Sequence, residues 1–330
     1  MLKRISTITH IIGIILSVGL TESFSQGCSD AGFCTMGAMK PSQIYTKKIN
    51  FKLRSAELSW GHAKTTLSPV IDAITADLTF GINEKTSLQV KLPYYRVSGS
   101  LGETSGLSDI SYSLTRNVYS TEQYHINATL GGKIPTNKSD LDSDIKSEDF
   151  KTPSLPAGTS VDLPMYYQTS LGSYDIVAGA SYISQKWMFA TGIQIALTEN
   201  ENDFRWGQWG GYPSQSYIND YPLANKLKRG TDIMLRVERA FHFSKWDIRL
   251  GVLPIYRITK DEIYNFNTDT RVKVDKTTGL ALTTLLNVAY HFNTNNSISV
   301  LYGHKITDRE INPDGLTRKY VTSVGYVIRF

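Results

Sequence analysis

Cysteine is scarce, with only 2 in 330 residues, so a disulfide scaffold is excluded. Charge is sparse as well: 20% of residues are charged, the formal net charge is +5, and the basic residues form no long run. Nucleic-acid binding has no compositional support. Long hydrophobic runs are missing. The longest, Ile11 to Leu20, has about half of the ~20 residues that a spanning helix needs. Gly-rich phosphate loops, zinc spacings and dinucleotide fingerprints are absent, so no cofactor is expected. What remains is 41% hydrophobic with 19 Tyr and 12 Phe, far too adhesive and β-prone to stay disordered.

The start of the chain reads as an export signal. Lys3 and Arg4 precede the apolar run, and Ser23 and Ser25 put small residues three and one positions before a cut ahead of Gln26. The expected organisation is a signal peptide over 1–25, a tail or plug on the periplasmic side over 26–49, and a folded body over 50–330. An exported chain without a spanning helix can enter a membrane only as a closed β-barrel, which pairs every backbone group in lipid.

Period-two alternation supports that choice. Leu88, Val90, Leu92 and Tyr94 oppose Gln89 and Lys91. Ile126, Ala128, Leu130 and Ile134 oppose His125, Asn127, Thr129 and Lys133. Trp246, Ile248, Leu250, Val252 and Tyr256 oppose Asp247, Arg249 and Arg257. Twelve strands are expected, over 50–62, 70–82, 86–97, 107–119, 123–135, 172–184, 186–199, 229–243, 246–259, 278–292, 297–307 and 318–330. Their joins alternate between tight turns, such as Asn83 to Lys85 and Ser244-Lys245, and long loops, above all 136–171 and 200–228. Short periplasmic turns and long external loops are the asymmetry of an outer-membrane barrel. The fold class is therefore all-β, a transmembrane antiparallel β-barrel with outer-membrane lipid as its surroundings.

The last strand places Tyr320, Val324, Tyr326, Ile328 and the terminal Phe330 on one face. An aromatic residue closing an alternating strand resembles the signal by which the barrel-assembly machinery recognises its clients, which makes that machinery an expected partner through Phe330. Phe80, Tyr119, Trp187, Trp246 and Phe292 fall near strand ends, where interfacial girdles form.

Two motifs carry a resemblance. Gly106-Leu107-Ser108-Asp109-Ile110 opens a strand, and Leu130-Gly131-Gly132-Lys133-Ile134-Pro135-Thr136 follows after a hairpin. With Val90 to Pro93 and Gly172 to Ile176, they resemble outer-membrane proteins grouped as "MetA-pathway of phenol degradation". The second motif in that family usually ends in Gly, where this chain has Asn137. The resemblance implies a barrel that passes small, often hydrophobic, solutes.

In such a barrel the lumen carries the function. Lys91, Lys133, Asp232, Arg236, Asp247, Arg249 and Arg257 fall on the inward parity and are the expected solute path, joined there by Asp77, Asp109, Glu238 and Arg329. They can brace a narrow barrel or filter solutes by charge. Arg116 and Arg239 fall outward, each about four residues from a turn. Phe204, Trp206, Trp209 and Tyr212 crowd one external loop, either packed on each other or arranged to collect apolar solutes at the mouth. Asp140, Asp142 and Asp144 begin like a calcium loop, but Ile145 replaces the needed Gly and Lys151 the bidentate Glu.

Cys28 and Cys34 in the exported tail are expected to form a disulfide. With Met36 and Met39 they also make a set of soft ligands suited to Cu(I). An enzyme is not expected. The one His-x-Ser pair, His242-Phe243-Ser244, lies at a periplasmic turn with no acid or amide placed to activate it. Alternatives to solute passage are a closed barrel acting as adhesin or docking platform, and copper handling through the tail.

Overall fold

A computed structural model describes residues 36–40, 51–65, 69–99, 101–144, 160–204, 224–265, 268–315 and 318–330. The strands are β1 (Lys52–Thr65), β2 (Val70–Gly81), β3 (Thr86–Gly99), β4 (Gly102–Leu107), β5 (Ile110–Ser120) and β6 (Tyr124–Ile134). They continue with β7 (Asp142–Asp144), β8 (Ser160–Asp162), β9 (Asp175–Ser184), β10 (Trp187–Ala196), β11 (Asp232–Phe243) and β12 (Trp246–Arg257). The last are β13 (Glu262–Asn265), β14 (Thr270–Lys273), β15 (Gly279–His291), β16 (Asn296–Thr307) and β17 (Arg318–Arg329).

Antiparallel pairing runs around the molecule and closes on itself, because β1 pairs both β2 and β17 while β3 pairs both β2 and β5. The result is a closed twelve-strand barrel. β4 and β5 lie end to end along β3 and serve as one barrel strand, interrupted at Ser108-Asp109. The expected strand over 107–119 thus begins five residues earlier and carries a break. Two small hairpins, β7–β8 and β13–β14, stand on the long loops.

The exterior cannot face water. Leu58, Leu130, Leu235 and Leu250 point outward mid-strand, with Leu130 62% exposed, whereas their alternating neighbours are buried or half-buried. Large contiguous apolar surface of this kind belongs in lipid. At the short-turn end an aromatic belt surrounds the barrel. Tyr119, Tyr124 and Tyr182 pack ring to ring in sequence, Trp187 stacks on Phe189, and Trp246, Tyr290 and Phe292 meet at tilted and edge-to-face angles. Arg239, outward as expected, lies with its guanidinium 4.9 Å from the Trp187 ring centre, so cation–π stacking satisfies it within the belt.

Candidate functional site

The inward faces of the strands collect most of the buried charge. Asp77, Lys133, Arg236, Glu238 and Arg257 are each at most 5% exposed. Placing them in lipid would cost about 2–4 kcal/mol apiece for Arg or Lys at mid-depth, so parity alone determines their side. Glu57, on the strand whose parity is least obvious from sequence, also turns inward and lines the cavity described below.

Three sequence motifs converge at the long-loop end. Asp109 belongs to the first, Lys133 to the second and Asp175 to the third, Gly172 to Ile176. Lys133 Nζ lies 2.9 Å from Asp109 and 3.9 Å from Asp175, and Arg229 lies 2.5 Å from Asp175. Asp109 also accepts from the Ser170 hydroxyl at 2.5 Å, and Gln194 donates to Asp175 at 2.5 Å. The glycines of the second motif permit this crowding: a Cβ at Gly131 would stand 2.3 Å from the Tyr112 carbonyl, and one at Gly132 2.6 Å from that of Asp175. Asn137, where the family usually has Gly, covers Gly106 and donates to Thr169 at 2.8 Å. The motifs therefore encode a buried ion-paired girdle beneath the long loops. A second knot lies along β11–β12, where Arg257 bonds both Asp232 and Asp261 at 2.7 Å.

The short segment 36–40 occupies the middle of the lumen. Its residues Gly37–Met39 form one 3-10 turn. Met36 and Met39 pack with Val177, Met188, Ala190, Met234, Leu253 and Leu285, an apolar patch on the inner wall. Polar clamps hold the other side of the segment. Gly37 N donates to Gln89 Oε1 and Ala38 N to Thr129 Oγ1, both at 2.6 Å. Lys40 Nζ reaches Glu57 at 2.9 Å and Asp77 at 2.7 Å, and Lys91 lies 3.7 Å from Asp77. Sequence parity marks the inner face of β9–β12 as inward but does not reveal that Val177, Met188, Met234 and Leu253 make it apolar. The signal was available, because those positions break the polar alternation that β5 and β6 keep.

Beside this segment remains a cavity of about 700 Å³. Its wall from β1, β2 and β15–β17 is made of small or hydroxyl side chains such as Ser59, Gly61, Ala73, Thr75, Ser299 and Ser323, and their small size leaves the space open. Of the expected path residues, Lys91, Lys133, Arg236, Asp247 and Arg249 line this cavity, whereas Asp232 and Arg257 are locked in their own knot. Arg249 pairs Asp247 at 3.0 Å. Phe204 is 2% exposed, packed among the loops above the barrel and outside the cavity lining. Trp206, Trp209 and Tyr212, like Cys28 and Cys34, lie outside the described residues. His242 sits at the short-turn rim, 54% exposed and 3.1 Å from Asp247.

No family model matches the chain. No curated protein matches it either. Solved structures do. The chain is similar to the COG4313 outer membrane channel from Pseudomonas putida F1, at 12% identity and a TM-score of 0.55, over 88% of this chain and 100% of that one. Weaker likenesses include the NanC porin, at 8% identity, TM-score 0.46, over 83% of this chain and 100% of that one, and the CymD monoaromatic hydrocarbon channel, at 12%, 0.41, 94% and 95%. The likeness to the COG4313 channel establishes the barrel fold, which the Gly106–Ile110 and Leu130–Thr136 resemblance also implies.

Proposed function

We propose that the protein passes small solutes across the outer membrane of a Gram-negative bacterium. The observation that carries this reading is the cavity of about 700 Å³ beside the seated tail, enclosed by a barrel with a lipid-facing exterior and lined by fixed charges of both signs. Lys91, Lys133, Arg236, Asp247 and Arg249 border the path, and Asp232 and Arg257 brace its external end. Residues 36–40 act as a plug that narrows the path. Its apolar underside on Met36 and Met39 gives those sulfurs a packing role in place of copper ligation. Export by a signal peptide ending near Ser25, and insertion through the terminal Phe330, complete the reading. No catalytic role is assigned.

The test is single-channel recording of the refolded protein in a planar bilayer. Steady conductance is expected, with ion selectivity that shifts on Arg249→Glu and Lys91→Glu. A folded, heat-modifiable barrel that stays silent would overturn solute passage. One observation favours a second reading, a closed barrel serving as a docking platform: the clamp of Lys40 on Glu57 and Asp77, which ties the plug to the wall.

A further inference from the structure

The cavity is electrically lopsided. Eight of its lining residues are Lys or Arg and four are Asp or Glu. Most of the cations are already engaged: Lys40 and Lys91 by Asp77, Lys133 by Asp109, Arg236 by Glu238, Arg249 by Asp247 and Lys305 by Asp308. Arg329 is different. Among the described residues no carboxylate pairs with its guanidinium, whose Nη1 donates to the Ser297 hydroxyl at 3.2 Å. Glu57, the nearest acidic influence on it, is held by Lys40 at 2.9 Å.

His291 stands directly across from Ser297 in the β15–β16 register and also lines the cavity. The charged groups that bear on this imidazole are Arg329, Asp247, Arg249 and His242, and Asp247 is itself engaged by Arg249 and His242. The short-turn end of the cavity thus holds a guanidinium without an acid, a hydroxyl and an imidazole around open space. Val327, two residues before Arg329 on the same inner face, supplies an apolar wall beside it, and Leu301, four residues along β16 from Ser297, extends the apolar lining toward the middle of the lumen.

We propose that Arg329, Ser297 and His291 form a binding subsite for a small organic monocarboxylate, with the acid group on Arg329 and the hydrocarbon body against Val327, directed toward Leu301. A guanidinium offers two parallel N–H donors that match a carboxylate, and one uncompensated charge suits a monoanion. The inference rests on the lumen being the working part of the barrel and adds the charge class of its solute.

Isothermal titration of the refolded full-length barrel in detergent, with sodium benzoate as probe and benzamide as its neutral counterpart, tests the subsite. Saturable benzoate binding is expected, at least tenfold tighter than benzamide. Arg329→Gln should weaken benzoate at least tenfold, Arg329→Lys should restore part of it, and His291→Asn should cost less. Equal binding of the two probes, no saturable benzoate binding, or an unaltered Arg329→Gln barrel would overturn the proposal. Should Arg329→Gln lose heat-modifiable migration, the benzoate–benzamide comparison on the wild type decides alone. Bilayer recording on the same samples separates the two readings. Benzoate binding in a silent barrel leaves the subsite and removes the channel; conductance without benzoate binding does the reverse.

Discussion

The Lys40 ammonium is the charged clamp that holds residues 36–40 against the wall. Glu57 and Asp77 are direct cross-strand partners, so without Lys40 two carboxylates would face each other in a confined lumen. Removing one member of a buried pair costs about 3–5 kcal/mol, and Lys91 at 3.7 Å from Asp77 keeps the cost near the lower end. Lys40→Ala is therefore expected to release the segment and raise bilayer conductance several-fold; an unchanged conductance from folded barrel would count against the clamp. Gly37 provides an independent route to the same state. Its φ of +48° is one that a β-branched residue resists, and a Cβ there would lie 2.4 Å from both Thr115 Oγ1 and Thr129 Cγ2. Gly37→Val removes no charge, so it should open the barrel as Lys40→Ala does while leaving ion selectivity nearer the wild type, as read from reversal potentials in a salt gradient.

Strands were the most legible level of this chain. Alternation in β3, β6 and β12 assigns Leu88, Leu130 and Leu250 to lipid and Gln89, Lys133 and Arg249 to the lumen, and the folded barrel keeps each on that side. This works because a one-residue slip in a half-buried strand would exchange the two faces entirely. The break between β4 and β5 left a trace in the sequence, since Ser108 and Asp109 are two adjacent polar residues that shift the parity by one between Leu107 and Ile110. What the sequence does not show is that Asp109 bonds Lys133, Ser170 and Leu171 from distant parts of the chain. The hairpins β7–β8 and β13–β14 were missed because three- and four-residue strands carry too little periodicity to register. Nor could parity alone show that residues 36–40 would find an apolar seat on β9–β12. A strand-level prediction follows from the lipid-facing parity. Leu130→Arg, mid-strand and 62% exposed to the surroundings, should lower unfolding stability by about 2–4 kcal/mol in bilayer-refolded samples. Arg239→Leu, at the belt and replacing a side chain that stacks on Trp187, should change it by less than about 1 kcal/mol. Equal losses in urea titrations would show that depth does not govern the cost.

Across the whole molecule, the lumen is divided lengthwise and capped at one end. Residues 36–40 cover the wall of β9–β12, the small side chains of β1, β2 and β15–β17 keep the opposite wall clear, and the described parts of the long loops form a crown over the mouth. Side-chain amides hold that crown together. Gln168 donates to the Leu141 and Leu163 carbonyls at 2.9 and 2.8 Å, and Asn202 donates to those of Ser139 and Leu163, both at 2.9 Å. Within the crown, Asp162 accepts from the Asp203 amide at 3.1 Å. Burial pushes its carboxyl pKa up, and Asp140, Asp203 and Asp142 add to the rise against the opposing hydrogen bond. An acid whose folded pKa exceeds its unfolded value binds its proton more tightly in the folded crown. Stability of the crown is therefore gained as pH falls through the raised folded value, is complete below the unfolded value of about 3.9, and is lost again as pH rises. Hydrogen exchange, corrected for intrinsic rates, should show residues 162–171 and the Asp203 amide better protected near the unfolded pKa than at neutral pH. Asp162→Asn should remove that dependence while leaving the barrel amides of β11 and β12 unaffected. A crown whose protection does not vary with pH, or one whose variation survives Asp162→Asn, would locate the titrating group elsewhere and leave the mouth's geometry independent of the medium outside.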